Sequence, residues 1–136
     1  MKKNGFTLVE LLAVLVILAL IMGIAVPSIL SISSKMNVDM FCKRTAEIED
    51  AAKLYGDDNV NEVAATGATG LNVSVAALLK QGYLGKDSDT CIVGSNCVVD
   101  PRNKTALDNN YVKVYRENNR TYAKYQYAAA DATVCG

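Results

Sequence analysis

The stretch Lys2-Lys3-Asn4-Gly5-Phe6-Thr7-Leu8-Val9-Glu10-Leu11 decides how this sequence is interpreted. It joins a short basic segment to an apolar run that continues to about Ile32. A basic segment followed by an apolar run is typical of a secretory signal peptide or a signal anchor. This run is longer than the ~7–15 apolar residues of a cleavable signal and close to the ~20 that a membrane-spanning helix needs. We therefore expect it to stay on the mature protein.

Glu10 is the only charged residue between Phe6 and Ser34. An unpaired carboxylate in a bilayer costs roughly 2–3 kcal/mol, and less near a helix end, so its presence there indicates a function. The quoted stretch resembles the class III leader and cleavage motif of type IV pilins and of the pseudopilins of secretion and competence systems. The resemblance covers the leader and the helix to about Pro27. It implies that a dedicated membrane peptidase cuts after Gly5 and methylates the new amino-terminal Phe6.

The resemblance also implies an α+β fold, in which one long amino-terminal helix packs on a small antiparallel sheet. It divides the chain into three parts. Residues 1–5 are a leader that is removed, residues 6–34 are the half of the helix that spans the membrane or fills a filament core, and residues 35–136 are a periplasmic or extracellular head.

Cleavage after Gly5 would leave a positive amine on Phe6, at a helix end whose first backbone N–H groups have no partners. Glu10 lies close enough to interact loosely with its own amine. The resemblance implies instead that Glu10 meets the Phe6 amine of a neighbouring subunit during assembly. Such a buried pair adds little stability, but every wrong register leaves both charges bare.

Residues 6 to about 56 form one long predicted helix. Its second half is amphipathic, with apolar or small residues spaced by three and four: Val38, Phe41, Thr45, Ile48, Ala52 and Tyr55. We therefore expect the globular remainder of the chain, the head, to pack on this face. Gly23 and Pro27 weaken the first half, because proline removes one backbone hydrogen bond and glycine adds backbone freedom. They form either a simple kink or a segment that stretches in a filament.

The remainder of the sequence predicts short helices and strands. Residues 56–59 end the long helix, and residues 61–70 form a linker without the Gly-Lys-Ser/Thr of a phosphate loop. Residues 72–81 are expected to form a short helix that has Leu78 and Leu79 inward and stops at Gly82. Residues 98–100 are a candidate strand. Residues 111–116 and 121–127 alternate around a turn, which predicts a β-hairpin.

The four cysteines, Cys42, Cys91, Cys97 and Cys135, all follow the apolar run and include no C-x-x-C pair. This pattern favours disulfides outside the cytosol over a zinc site. Four cysteines allow three connectivities. We prefer Cys91 with Cys97 and Cys42 with Cys135, and the exchanged pairing of Cys42 with Cys91 and Cys97 with Cys135 stays open.

The composition argues against several classes of function. The 136 residues suffice for one globular unit, and the 14 basic and 14 acidic residues balance, so nucleic acid is not favoured as a partner. The chain has no histidine, which weakens any enzyme hypothesis. Asp87, Ser88 and Asp89 near Asp100 could bind calcium, but a solvated turn fits their spacing better. No metal and no cofactor are predicted.

We therefore predict a structural subunit, a type IV pilin that resides in the cytoplasmic membrane and is then assembled into a helical surface filament. Its expected partners are other copies of itself, the prepilin peptidase, and an assembly platform with its ATPase. The alternatives are a pseudopilin of a type II secretion or DNA-uptake system, a monomeric signal-anchored surface protein, and a small membrane-tethered enzyme. The sequence does not distinguish adhesion, motility and DNA uptake.

Overall fold

The computed structural model describes residues 5–136, apart from the side chain of Pro27. Of the expected leader, only Gly5 belongs to the described residues. Within these residues, three helices, one 3₁₀ turn and three strands follow one another: α1 (Leu8–Asp58), α2 (Val60–Ala65), the turn Gly67–Thr69, β1 (Leu71–Ser74), α3 (Val75–Lys80), β2 (Tyr111–Glu117) and β3 (Arg120–Tyr125). The strands form an antiparallel sheet in the order β1-β2-β3. The predicted α+β fold is confirmed.

The chain divides into two compact units, Met1–Met36 and Asn37–Gly136. We call them the amino-terminal unit and the head unit. The described part of the amino-terminal unit is almost entirely the first portion of α1. Its large apolar side chains are exposed, from 46% at Leu18 to 85% at Phe6.

The head unit has a hydrophobic core between the second portion of α1 and one face of the sheet. The predicted stripe of α1 faces this core: Phe41, Thr45, Ile48, Ala52 and Tyr55 are all buried. From the sheet come Val112, Val114 and Tyr125, which are buried as well. The period of the buried α1 residues is that of an amphipathic helix packed on one side, as the sequence predicted.

The predicted hairpin is present, and its turn sets the register between β2 and β3. Val112 lies opposite Tyr125, and Glu117 lies opposite Arg120. The two residues between the strands, Asn118 and Asn119, have φ values of 50° and 63°. Two successive positive φ values are typical of the type I′ turn, whose twist matches that of the strands. The second strand ends at Tyr125, two residues earlier than predicted.

The long helix ends within residues 56–59, as expected, but Gly56 is not what ends it. Gly56 lies inside α1 and is buried. A Cβ atom at this position would come within 2.6 Å of Val114 Cγ1 and 2.7 Å of Thr121 Cγ2. The residue is small because the helix and the sheet approach each other closely here.

Three predictions in the remainder of the head unit were wrong. Part of the expected linker, residues 61–70, is helical, because the fully buried Val63 fixes α2 on the core. The expected helix over residues 72–81 begins as strand β1, which pairs with β2, and only its second part is the helix α3. Leu78 and Leu79 do point inward, as predicted. The expected strand at residues 98–100 is a single bridge between Val99 and Ala106.

Gly82 ends α3 as predicted, and the backbone shows how. Its φ is 82°, and its N–H donates to the Leu79 carbonyl oxygen while the Tyr83 N–H donates to that of Leu78. These two hydrogen bonds and the left-handed residue between them form a Schellman motif. The motif reverses the chain, which then brings Leu84 into the core.

Candidate functional site

Gly5 and Phe6 precede α1 and are exposed. A Cβ atom built on Gly5 would meet nothing within 4 Å, and its φ is not in the left-handed region. The fold of this chain therefore does not require glycine at position 5. Phe6 is 85% exposed.

Thr7 and Glu10 close the first turn of α1 with reciprocal hydrogen bonds. The Thr7 N–H and hydroxyl donate to Glu10 Oε2 at 3.4 and 3.3 Å, and the Glu10 N–H lies 3.3 Å from Thr7 Oγ1. This is a capping box, in which a Thr and a Glu three residues later satisfy each other's backbone donors. The function expected for Glu10 did not include this capping role, although the spacing Thr-x-x-Glu is its signal.

The position of Glu10 is also favourable electrostatically. It is the acidic residue in the first turn of α1, where the aligned peptide dipoles place partial positive charge. The carboxylate is exposed, so it has room to accept a further donor. A positive amine on Phe6 would be such a donor, but it exists only after the bond between Gly5 and Phe6 is cut.

Gly23 and Pro27 both lie within α1, which continues through them. A Cβ atom on Gly23 would meet nothing within 4 Å. Of the four serines that follow, Ser28, Ser31 and Ser34 donate their hydroxyls to carbonyl oxygens one turn earlier, at 3.5, 3.0 and 3.0 Å. Each of these three hydroxyls is thus satisfied inside the helix, as an apolar surrounding requires. That Gly23 and Pro27 weaken the helix stays a prediction.

Among the described residues, α1 is long and apolar enough to cross a bilayer, and none of its most apolar window is buried within the chain. Leaving so many large apolar side chains in water is unfavourable, at about 1.5–3 kcal/mol for each side chain compared with burial. A bilayer or apolar contacts with other molecules would remove these side chains from water.

The two disulfides of the head unit join Cys42 to Cys135 and Cys91 to Cys97. This is the pairing that the sequence analysis preferred. The first disulfide ties the carboxyl-terminal segment to α1 across 93 positions of sequence, and the second closes a loop of 6. Tyr127 reinforces the first tie, because its hydroxyl lies 3.0 Å from that of the buried Thr45.

A charged cluster also binds the carboxyl-terminal segment. The Arg102 guanidinium lies 3.6 Å above the Phe41 ring and hydrogen-bonds to Asp100 and, at 2.7 Å, to Asp131. The hydrogen bond from Arg102 holds the pKa of Asp131 below its usual value of 3.8. The two acids in turn raise the pKa of Arg102. The cluster thus depends on an ionised Asp131.

Asp108 is a buried acid that the sequence analysis did not single out. Its side chain is fully buried and accepts three backbone N–H groups, from Gly94 at 2.8 Å, Cys97 at 3.1 Å and Val98 at 2.7 Å. These donors belong to the disulfide loop and the residues just after it. Asp108 therefore fixes that loop on the core. No local pattern in the sequence indicates a contact of this kind.

Two of the acids considered for calcium, Asp87 and Asp100, have other partners. Asp87 accepts hydrogen bonds from Arg44 at 2.5 Å and from the Val99 N–H at 2.9 Å, while Asp100 pairs with Arg102. In the described part of the chain, no three His, Cys, Asp or Glu side chains are grouped so that they could hold a metal ion.

Comparison with known families gives a match to the amino-terminal residues. Residues 1–26 match the family model described as the prokaryotic N-terminal methylation motif. Neither the curated proteins nor the solved structures gave a significant match to the chain. The matched residues include Gly5, Phe6, the Thr7–Glu10 cap and the first part of α1. Residues 1–26 are therefore similar to the prokaryotic N-terminal methylation motif, which is the class III leader of type IV pilins, and the long helix and small antiparallel sheet are consistent with a type IV pilin-like α+β fold.

Proposed function

We propose that this protein is a pilin, the structural subunit of a type IV pilus. The methylation motif supports a pilin-like or pseudopilin-like precursor that is processed by a prepilin peptidase. The observation that carries the proposal is the position of this motif at the start of a helix whose apolar side chains are exposed. The peptidase would cut after Gly5 and methylate the amine of Phe6.

The exposed apolar surface explains why such a subunit needs two surroundings in turn. Residues 6–34 would first lie in the cytoplasmic membrane, which makes the precursor a single-pass membrane protein. After extraction by an assembly platform and its ATPase, the same residues would pack against other copies in the filament core. Residues 35–136 would form the head outside the membrane, and residues 1–5 would be absent from the mature protein.

Glu10 would change partners between these two states. In the single chain its carboxylate caps α1 together with Thr7. In the filament it would bind the Phe6 amine of a neighbouring subunit. Apolar packing alone tolerates many sliding offsets between helices, whereas an offset that separates this pair leaves two charges unpaired in an apolar core. The pair would therefore set the register of assembly.

This function is structural and requires no catalysis by the chain. Pilin-type proteins are typically non-enzymatic. A pseudopilin of a secretion or DNA-uptake system is the second candidate, because it would carry the same amino-terminal motif. Long surface filaments that contain this subunit favour the pilin, and a protein that supports secretion or uptake without them favours the pseudopilin.

Substitution of Glu10 tests the proposal. In a strain without wild-type subunit, Glu10→Ala should leave leader cleavage and membrane insertion nearly unchanged but make filaments scarce or absent in electron micrographs of sheared surface fractions. Glu10→Gln should be only slightly better, because it keeps the shape of the side chain but not its charge. Asp39→Ala removes the next acid along α1, which is also exposed, and should leave filaments normal.

Thr7→Val separates the two roles of Glu10. It removes the hydroxyl of the capping box and should weaken the start of the helix by about 1 kcal/mol, while the carboxylate remains available to a neighbour. Filaments should therefore persist. Normal filament numbers with Glu10→Ala, or an equal loss of filaments with Thr7→Val, would contradict the proposed role of the carboxylate.

A further inference from the structure

One apolar side chain of the head unit, Ile92, lies in water on a loop whose backbone is held in place. It is 72% exposed, more than any other large apolar side chain of this unit, and it lies in the loop closed by the disulfide between Cys91 and Cys97. Its N–H donates to Asn96 Oδ1 at 3.1 Å, and its carbonyl oxygen accepts from the Ser95 N–H at 3.0 Å. Because the backbone is already ordered, contact with a partner would cost little conformational entropy.

The head unit also has a recess of about 280 Å³ next to this loop. Three apolar and three charged residues line the recess: Met40, Arg44, Asp87, Val99, Pro101 and Lys104. The Asp87 N–H donates to the Cys97 carbonyl oxygen at 2.8 Å, which joins the recess to the base of the disulfide loop. Ile92 and the recess are therefore two neighbouring surfaces of one unit. Ile92 does not fill the recess of its own chain, because its side chain is exposed.

The charges around the recess and around Ile92 have opposite signs. In the recess, Arg44 pairs with Asp87 at 2.5 Å, whereas Lys104 takes part in none of the ion pairs of residues 5–136. Asp89 lies three positions before Ile92, is exposed, and has no ion pair within the same residues. The recess thus combines apolar surface with an unpaired cation, and the loop combines an apolar side chain with an unpaired acid.

We propose that Ile92 of one copy of this chain is seated in the recess of a second copy, with Asp89 of the first facing Lys104 of the second. The inference rests on the proposed function, because it names a contact between heads that the filament would repeat. An apolar centre with a polar rim is the usual composition of a protein interface. Ile92 and the recess are different surface patches, and a contact between two different patches of identical chains can repeat along an open helix.

Photo-crosslinking in the filament tests this contact directly. The full chain with p-benzoylphenylalanine in place of Ile92 should give a covalent dimer when sheared filaments are irradiated. Mass spectrometry of the dimer should place the link at Met40, Val99 or Pro101. The same replacement at Leu54, which is 58% exposed on α1, is the matched control and should give no link to the recess. A link from position 92 to a different protein, or to residues outside the recess, would overturn the proposal.

Charge reversal tests the pair at the rim. Asp89→Lys and Lys104→Asp should each reduce the number of filaments at least about fivefold, because each variant brings like charges together. The two changes combined should restore at least about half of the wild-type number, because the pair forms again with its signs exchanged. Lys80→Asp reverses an exposed charge on α3 and should leave filaments normal. A combined variant that is no better than the single ones would overturn the proposed pair.

The two proposals fail in different ways. Wild-type cells that form no filaments would contradict the proposed pilin and this contact with it. Filaments that form normally, but whose cross-links from position 92 avoid the recess, would contradict this contact alone.

Discussion

The two units of this chain solve the problem of apolar surface in opposite ways. In the described part of the amino-terminal unit, every large apolar side chain is exposed, whereas the head unit buries a core and closes it with two disulfides. The head unit therefore buries its apolar side chains with its own residues, whereas a membrane or other molecules would have to cover those of the amino-terminal unit. Substitutions in one unit should affect assembly, and substitutions in the other should affect folding.

Tyrosine fluorescence measures the folding of the head unit separately from the amino-terminal unit. The chain has seven tyrosines and no tryptophan, and the first tyrosine in the sequence is Tyr55. The signal therefore comes from the head unit alone. Unfolding of the full chain in non-ionic detergent, followed by this signal, measures the head without interference from the apolar helix.

The largest effect on the head should come from the disulfide between Cys42 and Cys135. Replacing both residues by serine frees a loop with a sequence separation of 93, which in the loop-entropy model costs about 4–5 kcal/mol of unfolding free energy. The same change at Cys91 and Cys97, with a separation of 6, should cost about half as much. Urea unfolding followed by tyrosine fluorescence measures both values, and a greater loss from the short loop would show that the tie to α1 is not what stabilises the head.

Asp108→Asn should have the next largest effect. The amide that replaces one carboxylate oxygen cannot accept a hydrogen bond, so it leaves at least one of three backbone N–H groups without its partner, at about 1–3 kcal/mol for each. Asp89 is exposed and near the same loop, and Asp89→Asn should change the unfolding free energy by less than about 0.5 kcal/mol. Equal stability of the two variants would mean that Asp108 does not fix the loop.

Gly56→Ala tests the close approach of α1 to the sheet. Alanine is favoured in a helix by about 1 kcal/mol, but its methyl group would contact Val114 and Thr121 at distances below 3 Å. Such overpacking typically costs about 1–3 kcal/mol, so we expect a net loss of about 1 kcal/mol. Gly85→Ala, at a position where nothing lies within 4 Å, is the matched control. A more stable Gly56→Ala protein would contradict the account of this contact.

The smallest effect concerns pH and the tie made by Asp131. Because Arg102 lowers the pKa of Asp131 below 3.8 in the folded head, the ionised form favours folding. This contribution is complete above the ordinary pKa and is lost as the pH falls through the lowered one. Asp131→Asn should therefore cost about 1 kcal/mol or less near neutral pH, and the difference from the wild type should shrink below about pH 4. A difference that is constant down to pH 2 would exclude ionisation as its cause.

Sequence reasoning succeeded where the determining interactions are local. The methylation motif, the amphipathic stripe of α1 and the hairpin at Asn118-Asn119 each follow from residues that are close in sequence. The capping box at Thr7 and Glu10 is equally local and could have been found from its spacing.

The features that sequence reasoning missed depend on distant contacts. Gly56 does not end α1. It has to be small because Val114, which lies 58 positions later in the sequence, packs closely against it. Residues 71–74 form a strand rather than a helix because β2 pairs with them. Asp108 acquires its role only when the disulfide loop places three N–H groups around it. None of these contacts leaves a periodic pattern in the sequence.

The most direct test of the central claim is the mass of the mature protein. Intact-mass and amino-terminal peptide spectrometry of the protein from cell envelopes should show that residues 1–5 are absent and that the chain begins at a methylated Phe6. Because the fold leaves space for a side chain at position 5, replacing Gly5 by a bulky residue should block this cleavage without altering unfolding of the head. A mature protein that retains Met1 to Gly5, or that is cut near Ala25, would contradict the account.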